Sequence, residues 1–131
     1  MSILTKKSIL VTGGTGSIGT ALVKKAINDK IVLIDNFYKK KLHLKPKIAV
    51  LGLNPHCEST NKFNEDEKIT KPAIKNLAKL GYDVTGPYPA DTIFLKNNRK
   101  KFNVILGMYH DQVLTPIKTL FEYDAINITL G

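Results

Sequence analysis

The 131-residue sequence predicts an α/β fold, a parallel or mostly parallel sheet flanked by helices in incomplete Rossmann-like layers. Three observations support this fold class. Apolar runs of strand length alternate with segments of helical periodicity. Two of these runs end in loops that carry a histidine, at the position where ligand sites open in parallel sheets. An apolar content of 43% is adequate for a hydrophobic core.

The first predicted elements are a strand over residues 8–12, a glycine-rich turn and a helix over 20–28. Three glycines of the turn, Gly13, Gly16 and Gly19, allow backbone N–H groups to approach a pyrophosphate at the helix N-terminus. The spacing therefore predicts a strand–turn–helix junction in which NAD could bind.

Residues 30–42 allow two interpretations. Their β-branched residues favour a strand that ends near Asp35, where a βαβ unit places the acid that binds the ribose of a nucleotide. A helix is the alternative, because four apolar residues would share one face: Ile31, Ile34, Tyr38 and Leu42. In that helix Asp35 would be an ordinary surface residue.

Regular elements are also predicted along the rest of the chain. The predictions are a strand over 48–53, a helix over 64–80, a strand over 82–85 that ends in a turn at Gly86–Pro87, a helical piece at 91–95, a strand over 102–107, a helix over 113–121 and a last strand over 125–130.

Two of these strands lead directly into histidines. His56 follows the strand over 48–53, and His110 follows the strand over 102–107. Parallel neighbouring strands lie about 4.8 Å apart, so their carboxyl ends would bring both side chains to one edge of the sheet. The pair predicts a partial metal site with weak zinc affinity, since catalytic zinc normally has three protein ligands. For either histidine alone, a solvated loop residue is the alternative.

Four motifs in this order resemble the 4-hydroxythreonine-4-phosphate dehydrogenase family of vitamin B6 synthesis. They are Gly-Leu-Asn-Pro-His at 52–56, Gly-Pro-Tyr-Pro-Ala-Asp-Thr at 86–92, Met-Tyr-His-Asp-Gln at 108–112 and Asn-Ile-Thr-Leu-Gly at 127–131. The resemblance covers about residues 30–131 and implies the helix over 30–42. Residues 1–28 instead resemble the start of an extended short-chain dehydrogenase/reductase. We therefore predict two segments, 1–28 and 29–131, joined as a fusion of two coding fragments.

The dehydrogenase resemblance implies NAD- and divalent-metal-dependent oxidation and decarboxylation of 4-phosphohydroxy-L-threonine in a homodimer. It implies that His56 and His110 hold zinc, magnesium or cobalt, with no counterpart here for the family's third histidine. Because the family's other parts are missing, the chain alone is predicted to be inactive. Cys57 follows the first of these histidines and would be either an added thiolate ligand or a small buried residue.

The resemblance also implies which residues contact the substrate. Lys118 and Asn127 match residues that hold it, with Lys118 as the cation for its phosphate. Asp91 and Asp111 match acids near the metal and the substrate. Asp111 and Lys118 are the catalytic candidates. For Lys118 and Asn127, an amphipathic-helix lysine and a satisfied buried amide are the respective alternatives.

Composition limits the partners. The net charge is +9, but every basic residue except Arg99 is a lysine, and the lysines are spread along the chain, so we expect no nucleic-acid partner. No apolar run approaches the roughly 20 residues that span a bilayer, and a single cysteine is typical of a cytoplasmic protein. Two other functions remain open: a nucleotide-sugar dehydratase or epimerase, identified by residues 8–35, and a non-catalytic α/β domain.

Overall fold

The computed structural model describes residues 9–12, 20–57 and 64–128, and the side chains of 21–57 and 64–128. Strands and helices alternate along these residues. In chain order they are β1 Ile9–Thr12, α1 Thr20–Phe37, β2 Ile48–Leu51, α2 Lys71–Lys79, β3 Val84–Tyr88, α3 Ala90–Ile93, α4 Lys96–Arg99, β4 Val104–Gly107 and α5 His110–Phe121. Short π-helical segments, Tyr38–Leu42 and Asp66–Thr70, extend α1 and lead into α2, and a 3₁₀ turn, Glu122–Asp124, follows α5.

The four strands form one sheet in the order β1–β4–β2–β3, and every pair is parallel. The α/β fold with a parallel sheet, predicted from the sequence, is confirmed. Every residue of β2 and β4 is buried, as expected for strands with helices on both faces. These two strands are neighbours, with Ile48 opposite Val104 and Val50 opposite Leu106.

Alternate strand residues face two separate apolar clusters, because successive side chains of a strand point to opposite faces. On one face, Val50 and Leu106 contact the buried sides of α1 and α2. On the other face, Leu51 and Ile105 pack against α3 and α5 through Ile93, Phe94 and Val113. Helices therefore cover both faces of the two central strands and leave their carboxyl ends as the edge at which loops meet.

The helical interpretation of residues 30–42 is confirmed, and the strand alternative is wrong. No strand forms beside β1 at these positions, so the ribose-binding role that depended on that strand has no support. The expectation that Asp35 lies on the surface is also wrong, because this residue is 3% exposed. Asp35 follows buried Ile31 by one helical turn and so shares its inner face, and Lys39 reaches back one turn to pair with it at 2.7 Å.

Besides small shifts at element ends, three predicted elements differ from the structure. β3 runs through Gly86–Pro87, where a turn was predicted, and only glycine fits at position 86, because a Cβ there would lie 2.4 Å from the Val50 carbonyl oxygen. α5 begins at His110 rather than at residue 113. Residues 125–128 form no strand, since Ile126 and Ile128 are exposed and pair with no neighbouring strand. The rest of that predicted strand lies outside the described residues.

The N-terminal prediction is only partly within the described residues. β1 and the start of α1 flank the glycine turn, but residues 13–19 themselves lie outside the description. α1 continues across the predicted boundary between residues 28 and 29, and a division of the chain at that point stays a prediction. Within the described part of the chain, no helix combines the length and the apolar character needed to cross a membrane.

Candidate active site

The candidate site lies at the carboxyl edge of β2 and β4. His56 belongs to the loop that follows β2, and His110 is the first residue of α5, three residues after the last residue of β4. Because β2 and β4 are parallel neighbours, both loops leave the same edge of the sheet. Both histidines are exposed, with 68% of the His110 side chain open to solvent. Whether the two imidazoles share an ion stays a prediction.

The loop that carries His56 is held by a buried carboxylate. Asp66 is fully buried, and its two oxygens accept hydrogen bonds from the backbone N–H groups of Leu53 and Asn54, each at 2.9 Å. Gly52 allows this close approach, because a Cβ there would lie 2.9 Å from one carboxylate oxygen and 2.7 Å from the Cys57 sulfur. Two charge-assisted hydrogen bonds thus fix the start of the loop.

The loop that carries His110 is held by a buried amide. The Gln112 side chain accepts a hydrogen bond from Met108 N–H at 2.7 Å and donates one to the Gly52 carbonyl at 2.8 Å. It is 6% exposed. Gln112 and Asp66 therefore hold the Gly52–Leu53 peptide from both sides, and we call these two side chains and that peptide the strand-end clamp.

The clamp residues are the part of the site that the sequence interpretation missed. Gln112 lies inside the Met-Tyr-His-Asp-Gln motif, and its position two residues after His110 was the available signal. Asp66 was predicted only as one of several acids at a helix N-terminus. Its burial beside Gly52 depends on the packing of distant segments, for which the local sequence carries no signal.

An acid orients the imidazole of His110. Asp111 lies next to it, with its carboxylate oxygen 2.8 Å from Nδ1. A hydrogen bond at Nδ1 leaves Nε2 outside this contact, as in the arrangement in which carboxylates commonly support metal-bound histidine. Asp111 is also in the first turn of α5, where the helix dipole stabilises negative charge. Its side chain is 82% exposed, so solvent weakens both effects.

The predicted substrate residues lie around the same edge or beyond it. Asp91 is exposed in the first turn of α3, directly after β3. Lys118 is exposed on α5, about 12 Å along the helix from His110 at 1.5 Å per residue. Its ammonium group donates a hydrogen bond to the carbonyl of Ala125, which brings the segment containing Asn127 toward α5. Asn127 is exposed and lies in no strand, so it is not a buried strand amide.

Cys57 does not have the character of a thiolate ligand. It is 6% exposed, and burial and the negative charge of Asp66 raise the pKa of its thiol. A raised pKa keeps the sulfur protonated, whereas metals bind the thiolate. The interpretation of Cys57 as a small buried residue agrees with the structure. Among the residues that the structure describes, no three histidine, cysteine, aspartate or glutamate side chains are grouped to hold a metal ion.

Among the predicted nucleotide-binding residues, the three glycines follow β1, whose last residue, Thr12, lies opposite Gly107 at this same carboxyl edge. Gly13, Gly16 and Gly19 lie outside the described residues. Asp35 lies on the buried side of α1, and one of its carboxylate oxygens, Oδ2, pairs with Lys39.

A parallel sheet whose strands end in loops that carry histidine and aspartate side chains is typical of the α/β proteins that bind ligands at this edge. A sequence model of the family described as "Pyridoxal phosphate biosynthetic protein PdxA" matches residues 15–131. The chain belongs to this family, and the resemblance seen in its four motifs is confirmed. The match begins within the segment that resembles a reductase, so the likeness extends further toward the N-terminus than the motifs indicated.

Individual relatives agree with the family. The chain is 45% identical over 112 residues to a 4-hydroxythreonine-4-phosphate dehydrogenase of Sulfurihydrogenibium sp. (strain YO3AOP1), a match that covers 84% of this chain and 34% of the relative. It is 40% identical over 116 residues to a D-threonate 4-phosphate dehydrogenase of Salmonella typhimurium, covering 88% of this chain and 34% of that relative.

A solved structure shows the same architecture. A crystal structure of 4-hydroxythreonine-4-phosphate dehydrogenase from Klebsiella pneumoniae matches with a TM-score of 0.73 and 31% identity, over 89% of this chain and 38% of that one. The chain thus spans about a third of the length of the curated relatives that it matches.

Proposed function

We propose that this chain supplies part of the active site of an NAD- and divalent-metal-dependent dehydrogenase that oxidises and decarboxylates 4-phosphohydroxy-L-threonine. The observation that carries the proposal is the placement of His56 and His110 at the carboxyl ends of two paired parallel strands. Two relatives are named for substrates that both carry a phosphate on position 4. A cytoplasmic location and a homodimer are part of the same proposal.

The imidazole nitrogens of His56 and His110 are of a type that binds divalent metals. Neutral imidazole is a common ligand of zinc and cobalt, and the bond between His110 Nδ1 and Asp111 leaves Nε2 available for coordination. Two histidines leave the set one protein ligand short of a usual catalytic zinc site, so a further ligand from another segment or a partner subunit belongs to the proposal. When bound, the metal would polarise the substrate oxygen as a Lewis acid.

The chain's other side chains have separate tasks. Lys118 attracts the substrate phosphate, and Asn127 offers an amide for hydrogen bonding on the segment held near α5. Asp111 orients His110, and Asp91 lies ready to accept a hydrogen bond from the substrate at the end of β3. The glycine turn at 13–19 is the candidate contact for the NAD pyrophosphate.

Calorimetric titration of zinc into the 131-residue chain tests the metal site. We expect weak binding that falls by about tenfold or more in His56→Ala and in His110→Ala, because each removes one ligand. Binding should also fade below about pH 6, where protons compete for imidazole. His43→Asn is the matched control: His43 is exposed before β2, has φ 53°, which asparagine tolerates, and lies at the opposite end of that strand.

Unchanged zinc affinity in both histidine-to-alanine variants, or an equal loss in the control, would contradict the site. A parallel titration with NAD tests the glycine turn. Saturable binding below millimolar concentrations that is lost in Gly16→Val would support cofactor contact there. Absence of binding in that range would leave the turn a purely structural junction.

A further inference from the structure

We propose that Gln112 is a positioning residue that fixes the loop of His56 relative to the loop of His110 and thereby sets the affinity of the site for metal. This inference rests on the proposed function. Gln112 contacts neither imidazole. It binds the backbone of both strand ends, at Met108 N–H (2.7 Å) and at the Gly52 carbonyl (2.8 Å).

The position of Gln112 makes it the connection between β2 and β4 at this edge. The last residues paired between these strands are Val50 and Leu106. Beyond that pair the two chains diverge into their loops, and the Gln112 amide spans the gap between them. His56 lies four positions after Gly52, and His110 lies two positions after Met108, so both histidines follow closely after the points that Gln112 holds.

The strand-end clamp makes this connection rigid. Gln112 holds the carbonyl of the Gly52–Leu53 peptide, while Asp66 holds the N–H of the same peptide at 2.9 Å. A peptide is planar, so bonds to both of its polar groups fix its rotation as well as its position. Rotation of that peptide would redirect the following loop and move His56.

Only an amide side chain of this length satisfies both backbone groups. Met108 N–H needs an acceptor and the Gly52 carbonyl needs a donor, and glutamine offers both on one planar group. Ionised glutamate would place a second acceptor against the Gly52 carbonyl. Methionine has a similar length but neither strong donor nor strong acceptor, and would leave two buried backbone groups unsatisfied.

A second amide provides a matched control within the same two strands. Asn103 precedes β4, and its side-chain oxygen accepts a hydrogen bond from Lys47 N–H, which precedes β2, at 2.8 Å. Asn103 therefore connects the amino ends of β2 and β4 as Gln112 connects their carboxyl ends. Loss of either bond loosens the same strand pair, but only the loss at Gln112 releases the histidine loops.

The experiment measures zinc affinity by calorimetry for the 131-residue chain, Gln112→Met, Gln112→Glu and Asn103→Leu, together with chemical unfolding of each. Amide hydrogen exchange at Met108 reports directly on the bond. We expect Gln112→Met to bind zinc about tenfold more weakly, the lower end of losses seen when supporting groups are removed. Gln112→Glu should show a smaller loss, because it keeps the bond to Met108, and Asn103→Leu should stay within about twofold of the unmodified chain.

Equal zinc affinity in both Gln112 variants and the unmodified chain would overturn the inference, and so would an equal loss in Asn103→Leu at matched stability. If Gln112→Met does not fold, Gln112→Glu decides by the same comparison. The proposed function has its own test in the histidine variants. Zinc binding to the unmodified chain that does not depend on His56 and His110 would overturn the proposed function and, with it, this inference.

Discussion

Gln112 of the strand-end clamp is adjacent to Asp111 and two positions from His110, yet the clamp and these two side chains have opposite environments. Asp66 is fully buried and Gln112 is 6% exposed. The side chains of His110 and Asp111 are 68% and 82% exposed. The side chains that hold the two loops are thus buried, while the proposed metal ligand His110 and its neighbour Asp111 are open to solvent.

This difference separates two tasks that an active site normally combines. Buried hydrogen bonds position the loops, because in a low-dielectric interior each unmet polar group is costly. Exclusion of water, which strengthens electrostatic interactions with the substrate, is not provided at His110 by the described residues. Four predictions test this difference between the buried supporting residues and the exposed site residues.

The largest expected effect is on turnover. Because His110 is open to solvent and the described residues bring no third ligand to the histidine pair, the purified 131-residue chain should reduce NAD with 4-phosphohydroxy-L-threonine at least about 10³-fold more slowly than a whole relative assayed in parallel. Fluorescence of NADH measures the rate. Turnover close to that of the whole enzyme would show that exposure of the site does not limit the chemistry.

The next largest effect concerns the buried side of the comparison. Asp66→Asn should lower the free energy of unfolding by about 2–3 kcal/mol, because one of two buried backbone N–H groups loses its acceptor and the charge assistance is lost from the other. The neighbouring change Glu67→Gln affects only an exposed ion pair with Lys71 and should cost less than about 0.5 kcal/mol. Urea unfolding measures both, and equal costs would remove Asp66 from the clamp.

A smaller change in the free energy of unfolding is expected at Tyr38, which lies away from the candidate site, near the amino end of β4. Tyr38 is 1% exposed, and burial raises the pKa of its phenol. The folded state therefore holds the phenol proton of Tyr38 more tightly than the unfolded state does. The stability contributed by protonated Tyr38 is complete below about pH 10 and is lost as pH rises further. Tyr38→Phe should cost no more than about 1 kcal/mol at pH 7, since its hydroxyl makes only a 3.4 Å bond to the Asn103 carbonyl.

Above pH 10 the difference between the two proteins should shrink or reverse, because phenylalanine has no proton to lose. Unfolding midpoints recorded from pH 7 to pH 11 give this difference directly. A gap between the proteins that widens with rising pH would contradict the raised pKa.

The smallest effect concerns the exposed side of the comparison. Asp111→Asn should weaken zinc binding only about two- to threefold, because the contact with His110 is largely open to solvent and the asparagine oxygen can still accept from Nδ1. Asp124→Asn, on the exposed 3₁₀ turn after α5, is the control. A tenfold loss in Asp111→Asn alone would mean that this contact is as well supported as the clamp.

Local patterns in the sequence determined much of this protein. The apolar runs before His56 and His110 predicted two strands of a parallel sheet. For residues 30–42, β-branched content favoured a strand, and the family resemblance favoured the helix with which the spacing of Ile31, Ile34 and Tyr38 is compatible. Such features can be predicted from sequence because helical and strand periodicities arise from residues close together in the chain. The four short motifs were specific enough to identify the family, since each joins a loop to a fixed set of side chains.

Which polar groups are buried, and which partners they bond to, depends on the tertiary structure. Asp66 lies 13 positions from Leu53, and Gln112 lies 60 positions from Gly52, so no local pattern links the members of the strand-end clamp. Asp35 is buried on the inner face of α1, and a Cβ at Gly86 in β3 would clash with the Val50 carbonyl oxygen. Such contacts depend on how strands and helices pack across the whole domain, and their energies are decided by burial, which a sequence does not state residue by residue.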